Sequence, residues 1–252
     1  MSFSIVESGK LLVVSALLAY SSWADFRRRE VDDWVWILFG GSSLLLNLAM
    51  LGEILHNPAT AYALALDLVL PLGLYWLGAF GGADAKCLVC LGIAYPIIPL
   101  GAPVFAVNST MITVPVATLN NGLLLTLAYL PTNMLLNVKD ACRGVPFVDA
   151  NGVSPLKQLL FFVLLRRMKV FELLESEDSF QFVAENLRDA PLSSFLSPPS
   201  MPEQFRNSPA CSDRLVYAQF LLPFQGFLLG GYLLALLFGD LLLSTPYLLL
   251  GL

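Results

Sequence analysis

The sequence predicts an all-α polytopic membrane protein: six transmembrane helices, with a cytosolic insert between helices five and six. Three observations predict it. Hydrophobic residues make up 57% of the 252 positions and charged ones only 13%, with a mean hydropathy of +0.72; a soluble domain has about half and about a quarter. Several stretches of about twenty residues carry almost no charge, enough to cross a hydrocarbon core of ~30 Å. The basic residues are also sorted into alternate loops, as membrane topology requires.

The spans follow in order. The first is Ile5 to Ala24, the second Trp34 to Leu55, the third Ala61 to Phe80 and the fourth Asp84 to Leu100. The fifth is Asn121 to Val138, and the sixth begins at Phe220 and runs to Gly239 or beyond. Residues 101–120 are apolar but rich in Pro, Asn, Ser and Thr, so they read as a loop or re-entrant segment. Residues 1–138 thus form a membrane domain, 139–219 the insert and 220–252 the last helix.

Thirteen of the 14 Lys and Arg residues fall in loops 25–33, 81–86 and 139–219; the opposite set holds only Lys10. The positive-inside rule puts the basic set in the cytoplasm and both termini outside. Leu11 to Trp23 is apolar, but it is followed by charge rather than a small-residue cleavage site, so no cleavable signal peptide is expected.

Within the insert, "PLKQLLFFVLLRRMKVFELLESED" has an apolar core of seven residues, Leu159 to Leu165, too short to span. It reads either as a helix lying on the cytoplasmic membrane surface or as a packed helix of a small cytosolic domain. Pro191, Pro198, Pro199, Pro202 and Pro209 mark irregular chain after it.

Two carboxylates stand out. "SSWADFRRREVDDW" puts Asp25 where the first span meets the cytoplasm, and "GGADAK" puts Asp84 where the fourth begins. Spans two and three form a hairpin that returns the chain to its starting side. The two acids, 59 residues apart, therefore share one membrane level. Apposed carboxylates cannot both ionise and titrate as a unit holding one proton. The ionised member can draw a proton from water while the protonated one hydrogen-bonds a scissile carbonyl, as in aspartic proteases. Gly81 and Gly82, lacking Cβ, would let a substrate backbone approach. A simpler reading makes Asp84 a helix cap and pairs Asp25 with Arg28 or Arg29.

The other polar residues point elsewhere. Asp67 sits mid-span in "ALALDLVL" and is expected to face the bundle interior, structurally or as a proton relay. Asp240 reads as interfacial and His56, the single histidine, as solvated. Asn108 begins an Asn-Ser-Thr glycosylation pattern. Cys87 and Cys90 form a C-x-x-C without a second pair, so they read as packing residues and no metal is expected. A lone histidine also argues against zinc-peptidase or Ser-His-Asp chemistry.

"YSSWADFRRREV" followed by "GGADAK" resembles the type IV prepilin peptidases, particularly their archaeal branch, the preflagellin (prearchaellin) peptidases. The stretch "PFQGFLLGGYLLALLFGDLLL" is similar to the last span of the archaeal members. The resemblance implies a GxGD-type membrane aspartyl protease with six spans and no cofactor. Its catalytic aspartates would be Asp25 and Asp84, with Arg29 and Lys86 in supporting motif positions. Gly81, Gly82 and Ala83 would shape substrate approach. The G-x-G-D pattern here reads Gly81-Gly82-Ala83-Asp84, with Ala in place of the second Gly, and Asp32-Asp33 replaces the usual Pro-Asn. The cysteine pairs of bacterial members have no counterpart, which implies peptidase without methyltransferase activity.

The implied substrates are prearchaellins or archaeal type IV prepilins, cut after a short basic leader at the cytoplasmic face of the cell membrane. Glu30, Asp32 and Asp33 are candidate contacts for that leader. The lipid bilayer is the other expected partner, nucleic acid is not, and the oligomeric state stays open. Two further classes stay open: a presenilin- or signal-peptide-peptidase-like protease cutting within helices, and a proton-coupled transporter using Asp67 and Asp84.

Overall fold

Where the apolar runs stop being helical is decided by identifiable residues. The computed structural model describes residues 5–48, 52, 56, 58–95, 113–144, 153–188, 199–203, 205 and 213–243. The expectations for Asn108 and for Pro191, Pro198 and Pro209 lie outside the described residues. The chain divides into two compact units, Met1–Thr126 with Pro223–Leu252, and Leu127–Leu222.

In the first unit, α1 (Ile5–Arg28) is 24 residues long, with Arg27 and Arg28 complementing the dipole of its last turn. It stops at Arg29, which adopts φ 57° and donates its N–H to Asp25 O at 2.9 Å. A left-handed non-glycine residue costs about 1–2 kcal/mol, so the surroundings must hold it there. α2 (Asp33–Asn47) follows Asp32, whose extended backbone starts the helix, and Asp33 in the first turn favours the dipole.

α3 (Pro58–Trp76) continues through the internal Pro71. It ends in a Schellman cap: Gly78, at φ 72°, donates to Tyr75 O (3.0 Å) and Ala79 donates to Leu74 O (2.9 Å). This turn frees the chain to begin α4 (Gly82–Ala94) after two further residues. α5 (Val114–Thr126) starts at Thr113, whose carbonyl and hydroxyl accept from Ala117 and Val116, with Pro115 at a position where no amide donor is needed. The final helix of this unit, labelled α9 below, is Phe224–Phe238, closed by Gly239 at φ 73°.

Val14 and Leu18 of α1, Trp36 and Phe39 of α2, Leu88 and Leu91 of α4, Leu119 of α5, and Leu228 and Tyr232 of α9 pack into one core. Outside it, large apolar side chains stay exposed, among them Leu12, Ile37, Leu45, Val69 and Trp76. Apolar surface on this scale suits a lipid environment. Among the described residues one helix, α3, is by itself long and apolar enough to cross a membrane. α2 is described as helix only to Asn47 and α4 only to Ala94, short of the predicted spans to Leu55 and Leu100.

Two boundaries differ from expectation. The predicted fifth span, Asn121 to Val138, is broken at Leu127 and Ala128; α6 (Tyr129–Cys142) begins after them and falls in the second unit. Pro131 explains the break, because its ring would collide with the carbonyl four residues earlier, at Leu127. The predicted loop over 101–120 is helical from Val114 onward, and its earlier part lies outside the described residues.

The second unit corrects the all-α expectation. After α7 (Pro155–Leu164), capped by the Ser154 hydroxyl, come β1 (Leu165–Lys169), α8 (Val170–Glu175), β2 (Phe180–Ala184) and β3 (Leu215–Phe220). The strands form an antiparallel sheet in the order β1-β3-β2, with Arg167 opposite Tyr217. Aromatic and β-branched residues in "FQFVA" and "LVYAQF" favour strands, and β3 pairs on both edges. The helix expected in this stretch runs only to Leu164, and β1 and the short α8 follow it. Asn133 and Asn137 of α6 donate to Val163 O (2.8 Å) and Phe162 O (2.7 Å), and both also to Leu165 O. They satisfy the last carbonyls of α7, which have no partner within their own helix.

Candidate active site

The two predicted aspartates converge on a residue from a third helix. Gln225, at the start of α9, donates its backbone N–H to Asp25 Oδ2 (3.1 Å) and its side-chain amide to Asp84 Oδ1 (2.9 Å). It is 1% exposed. On its other side, the Ser21 hydroxyl faces its side-chain oxygen at 3.2 Å, and the Ser22 hydroxyl donates to its carbonyl at 2.8 Å. Asp25 and Asp84 interact electrostatically with one another.

Each carboxylate also sits at a helix N-terminus, where backbone donors lack partners and the dipole favours an anion. Asp25 receives one of the free amides of α9, a helix to which it does not belong. Asp84 is the third residue of α4 and accepts the Gly81 N–H at 3.3 Å through Oδ2. Asp84 thus caps its own helix through Oδ2 while Oδ1 accepts from Gln225.

Asp25 lies past the apolar run of α1. Burial pushes its carboxyl above the ordinary aspartate range, while the Gln225 N–H and the Arg29 charge act in the opposite direction.

The glycine-rich stretch divides its work unevenly. A Cβ on Gly81 would stand 3.1 Å from Asp84 Oδ2, so the missing side chain makes room for the carboxylate. Gly82 opens α4, and a Cβ there would meet only Tyr75 at an ordinary 3.7 Å. Ala83 lies in the first turn of α4 and packs against the core of the first unit. Alanine is preferred over glycine by about 1 kcal/mol in a helix interior, so the backbone at 83 has no need of a glycine.

The charged neighbours fall into exposed pairs. Lys86 Nζ bonds Asp33 Oδ1 at 2.6 Å, and Arg28 bonds Asp32 Oδ2 at 3.0 Å. Two of the three acids suggested as leader contacts are therefore engaged with bases of the same face. Arg28, an expected partner for Asp25, pairs with Asp32 instead.

Asp67 belongs to a different cluster. Its Oδ1 accepts the Thr113 hydroxyl, and a Cβ on Gly92 would meet its Cβ at 2.5 Å, so α3 and α4 approach closely there. Asp240 accepts from Asn120 (2.7 Å) and caps the short turn to Leu243. His56 bonds Gly52 O at 2.7 Å and is exposed. Cys87 and Cys90 are buried free thiols. No group of three potential metal ligands occurs among the described residues.

Gln225 is the residue that sequence reasoning missed. Its signal was a lone amide at the head of an apolar run, "PFQGFLL", two residues after Pro223.

Residues 12–131 match the model of the type IV leader peptidase family. The match covers just under half of the chain and includes both Asp25 and Asp84, whereas Gln225 lies outside it. This part of the chain is similar to peptidases of that family. No curated protein matches the chain.

Proposed function

We propose that the chain is a membrane aspartic endopeptidase of the type IV leader peptidase kind, with Asp25 and Asp84 as its reacting pair. The observation that carries this reading is their meeting at Gln225 although they come from helices 59 residues apart. The family match over both residues supports it, and so does the exposed apolar surface of α1, α2 and α3, which suits six spans in a bilayer. The substrates we assign are prearchaellins or archaeal type IV prepilins, cut at the cytoplasmic face between a short basic leader and the apolar helix after it.

The chemistry follows from one proton held between two carboxyl groups. The ionised member takes a proton from a water molecule as that water attacks the scissile carbonyl carbon. The protonated member donates to the carbonyl oxygen, giving a neutral tetrahedral adduct. Collapse of the adduct breaks the C–N bond: the amine leaves with the proton of one carboxyl group while the other takes a hydroxyl proton from the adduct, giving the new carboxyl group and restoring the singly protonated pair. Neither a metal nor a nucleophilic side chain takes part. Gly81, beside Asp84, keeps this face of the carboxylate free of a side chain.

The test uses purified full-length protein in detergent with a preprotein carrying a basic leader, the new N-terminus being read by sequencing. Asp25→Asn and Asp84→Asn should each abolish cleavage while the thermal midpoint stays near that of the parent. Full activity in either variant overturns the assignment.

A further inference from the structure

Gln225 uses all four of its polar groups, and every one is directed at α1 or α4. Its N–H and amide nitrogen bind the two carboxylates, while its carbonyl and amide oxygen receive hydroxyls from Ser22 and Ser21. Gln225 is buried; its bond to Ser21 is buried with it, and the other three are part-buried. Breaking one leaves an unsatisfied polar group in an apolar setting, which the structure resists.

The hydroxyls have a directional consequence. With Ser21 Oγ 3.2 Å from the amide oxygen, the amide nitrogen is turned toward Asp84. Ser22, whose one hydroxyl hydrogen lies between Leu18 O (2.7 Å) and Gln225 O (2.8 Å), ties the first turn of α9 to the last turns of α1. Phe224, the neighbour of Gln225, packs against Phe80 at 5.5 Å between ring centroids, just before Gly81. The start of α9 is therefore fixed to both strands of chain that supply an aspartate.

We infer that Gln225 is a positioning residue that sets the spacing of Asp25 and Asp84, using its backbone N–H for one and its side-chain amide for the other. This inference rests on the reading of those two residues as the reacting pair. A neutral amide suits the task. It donates to a carboxylate without adding a charge, so one proton can still move between the acids. A lysine or arginine at this position would pin both carboxylates in the ionised form and remove the shared proton.

The removable half of the bracket is the side chain, because the backbone N–H survives any substitution except proline. Gln225→Met keeps length and volume but loses the donor to Asp84 and the acceptor for Ser21. Gln225→Asn keeps an amide on a stem one methylene shorter. A positional error of about 1 Å at reacting groups lowers rates on the order of 100-fold. The expected result is a kcat reduced about 10- to 100-fold for Gln225→Met, with KM within about twofold of the parent. Gln225→Asn should lose less.

The experiment measures kcat and KM for cleavage of the basic-leader preprotein by four full-length variants in parallel: Asp25→Asn, Asp84→Asn, Gln225→Met and Gln225→Asn. Each rate is normalised to the folded fraction, obtained from thermal unfolding of the same preparation. Activity in the aspartate variants refutes the reading of the pair itself. With those inactive, three outcomes overturn the Gln225 inference alone: a parental kcat, a loss confined to KM, or a loss that disappears on normalisation. If Gln225→Met does not fold, the same three outcomes are read from Gln225→Asn.

Discussion

Gly231 of α9 offers a sharp measurement of how the site-bearing helix is held. A Cβ there would collide with Thr118 O and stand 2.6 Å from Gly122 N and 3.0 Å from Gly122 Cα, all backbone atoms of α5. Ordinary Cβ contacts begin near 3.4 Å, so Gly231→Ala forces the two helices apart by about 1 Å. Side-chain rotation cannot relieve a clash with backbone. Overpacking of this kind costs about 1–3 kcal/mol. The same substitution gains up to about 1 kcal/mol of helix propensity, so the clash wins.

Gly226 supplies the control on the same helix. Nothing lies within 4 Å of a Cβ built there, so Gly226→Ala should gain a few tenths of a kcal/mol to about 1. Thermal unfolding in detergent should place Gly231→Ala several degrees below the parent, at about 2–4 °C per kcal/mol, and Gly226→Ala at or slightly above it. Gln225 is six residues before Gly231, about 9 Å along the axis, so the shift of α9 should also slow cleavage. A midpoint for Gly231→Ala equal to or above the parent would refute the backbone-to-backbone contact of α5 and α9.

Three other positions yield distinct outcomes. Asn133→Ala and Asn137→Ala each strip donors from the last carbonyls of α7, and each should lower unfolding stability by about 1–3 kcal/mol. Because both amides bond Leu165 O, either single variant leaves that carbonyl one donor and only the double variant orphans it, so the double should lose more than the sum, and strict additivity would contradict the shared acceptor. Arg29→Gly relaxes a residue held at φ 57° but removes a positive charge acting on Asp25, so cleavage should fall without loss of thermal stability. Arg29→Lys keeps the charge and should retain most of the activity. Equal cleavage rates for the Gly and Lys variants would exclude an electrostatic role.

The site was partly legible because topology constrains depth. A hairpin between two motifs expected on the same side of a membrane would bring Asp25 and Asp84 to one level, and that argument needs only apolar length and basic-residue placement. It does not determine lateral neighbours. Which helix faces the pair depends on ridge-and-groove packing among α1, α4 and α9, so Gln225 remained one polar residue among many. Pro131 was a readable stop signal, yet hydropathy averaged over a span-length window passes through it and hides the break at Leu127. The strands were obscured differently. "LRRMK" continues the polar and apolar rhythm of the preceding helix, and its pairing partner "LVYAQF" lies some fifty residues away, beyond any local pattern.

The arrangement also explains why Ala83 is compatible with a motif usually written with glycine. Two properties are required around Asp84: room for its carboxylate and a donor for the oxygen that Gln225 does not bond. Gly81 supplies both, through its missing Cβ and its N–H. Position 83 supplies neither; it is helical and contributes packing to the core. The glycine requirement is therefore concentrated at the residue preceding α4, three positions before the acid. The opposing acid, Asp25, obtains its donor from the N-terminus of α9. Each carboxylate thus accepts a hydrogen bond from the backbone at a helix N-terminus. In the proposed mechanism such neutral donors let the pair share one proton, which a salt bridge to both carboxylates would oppose.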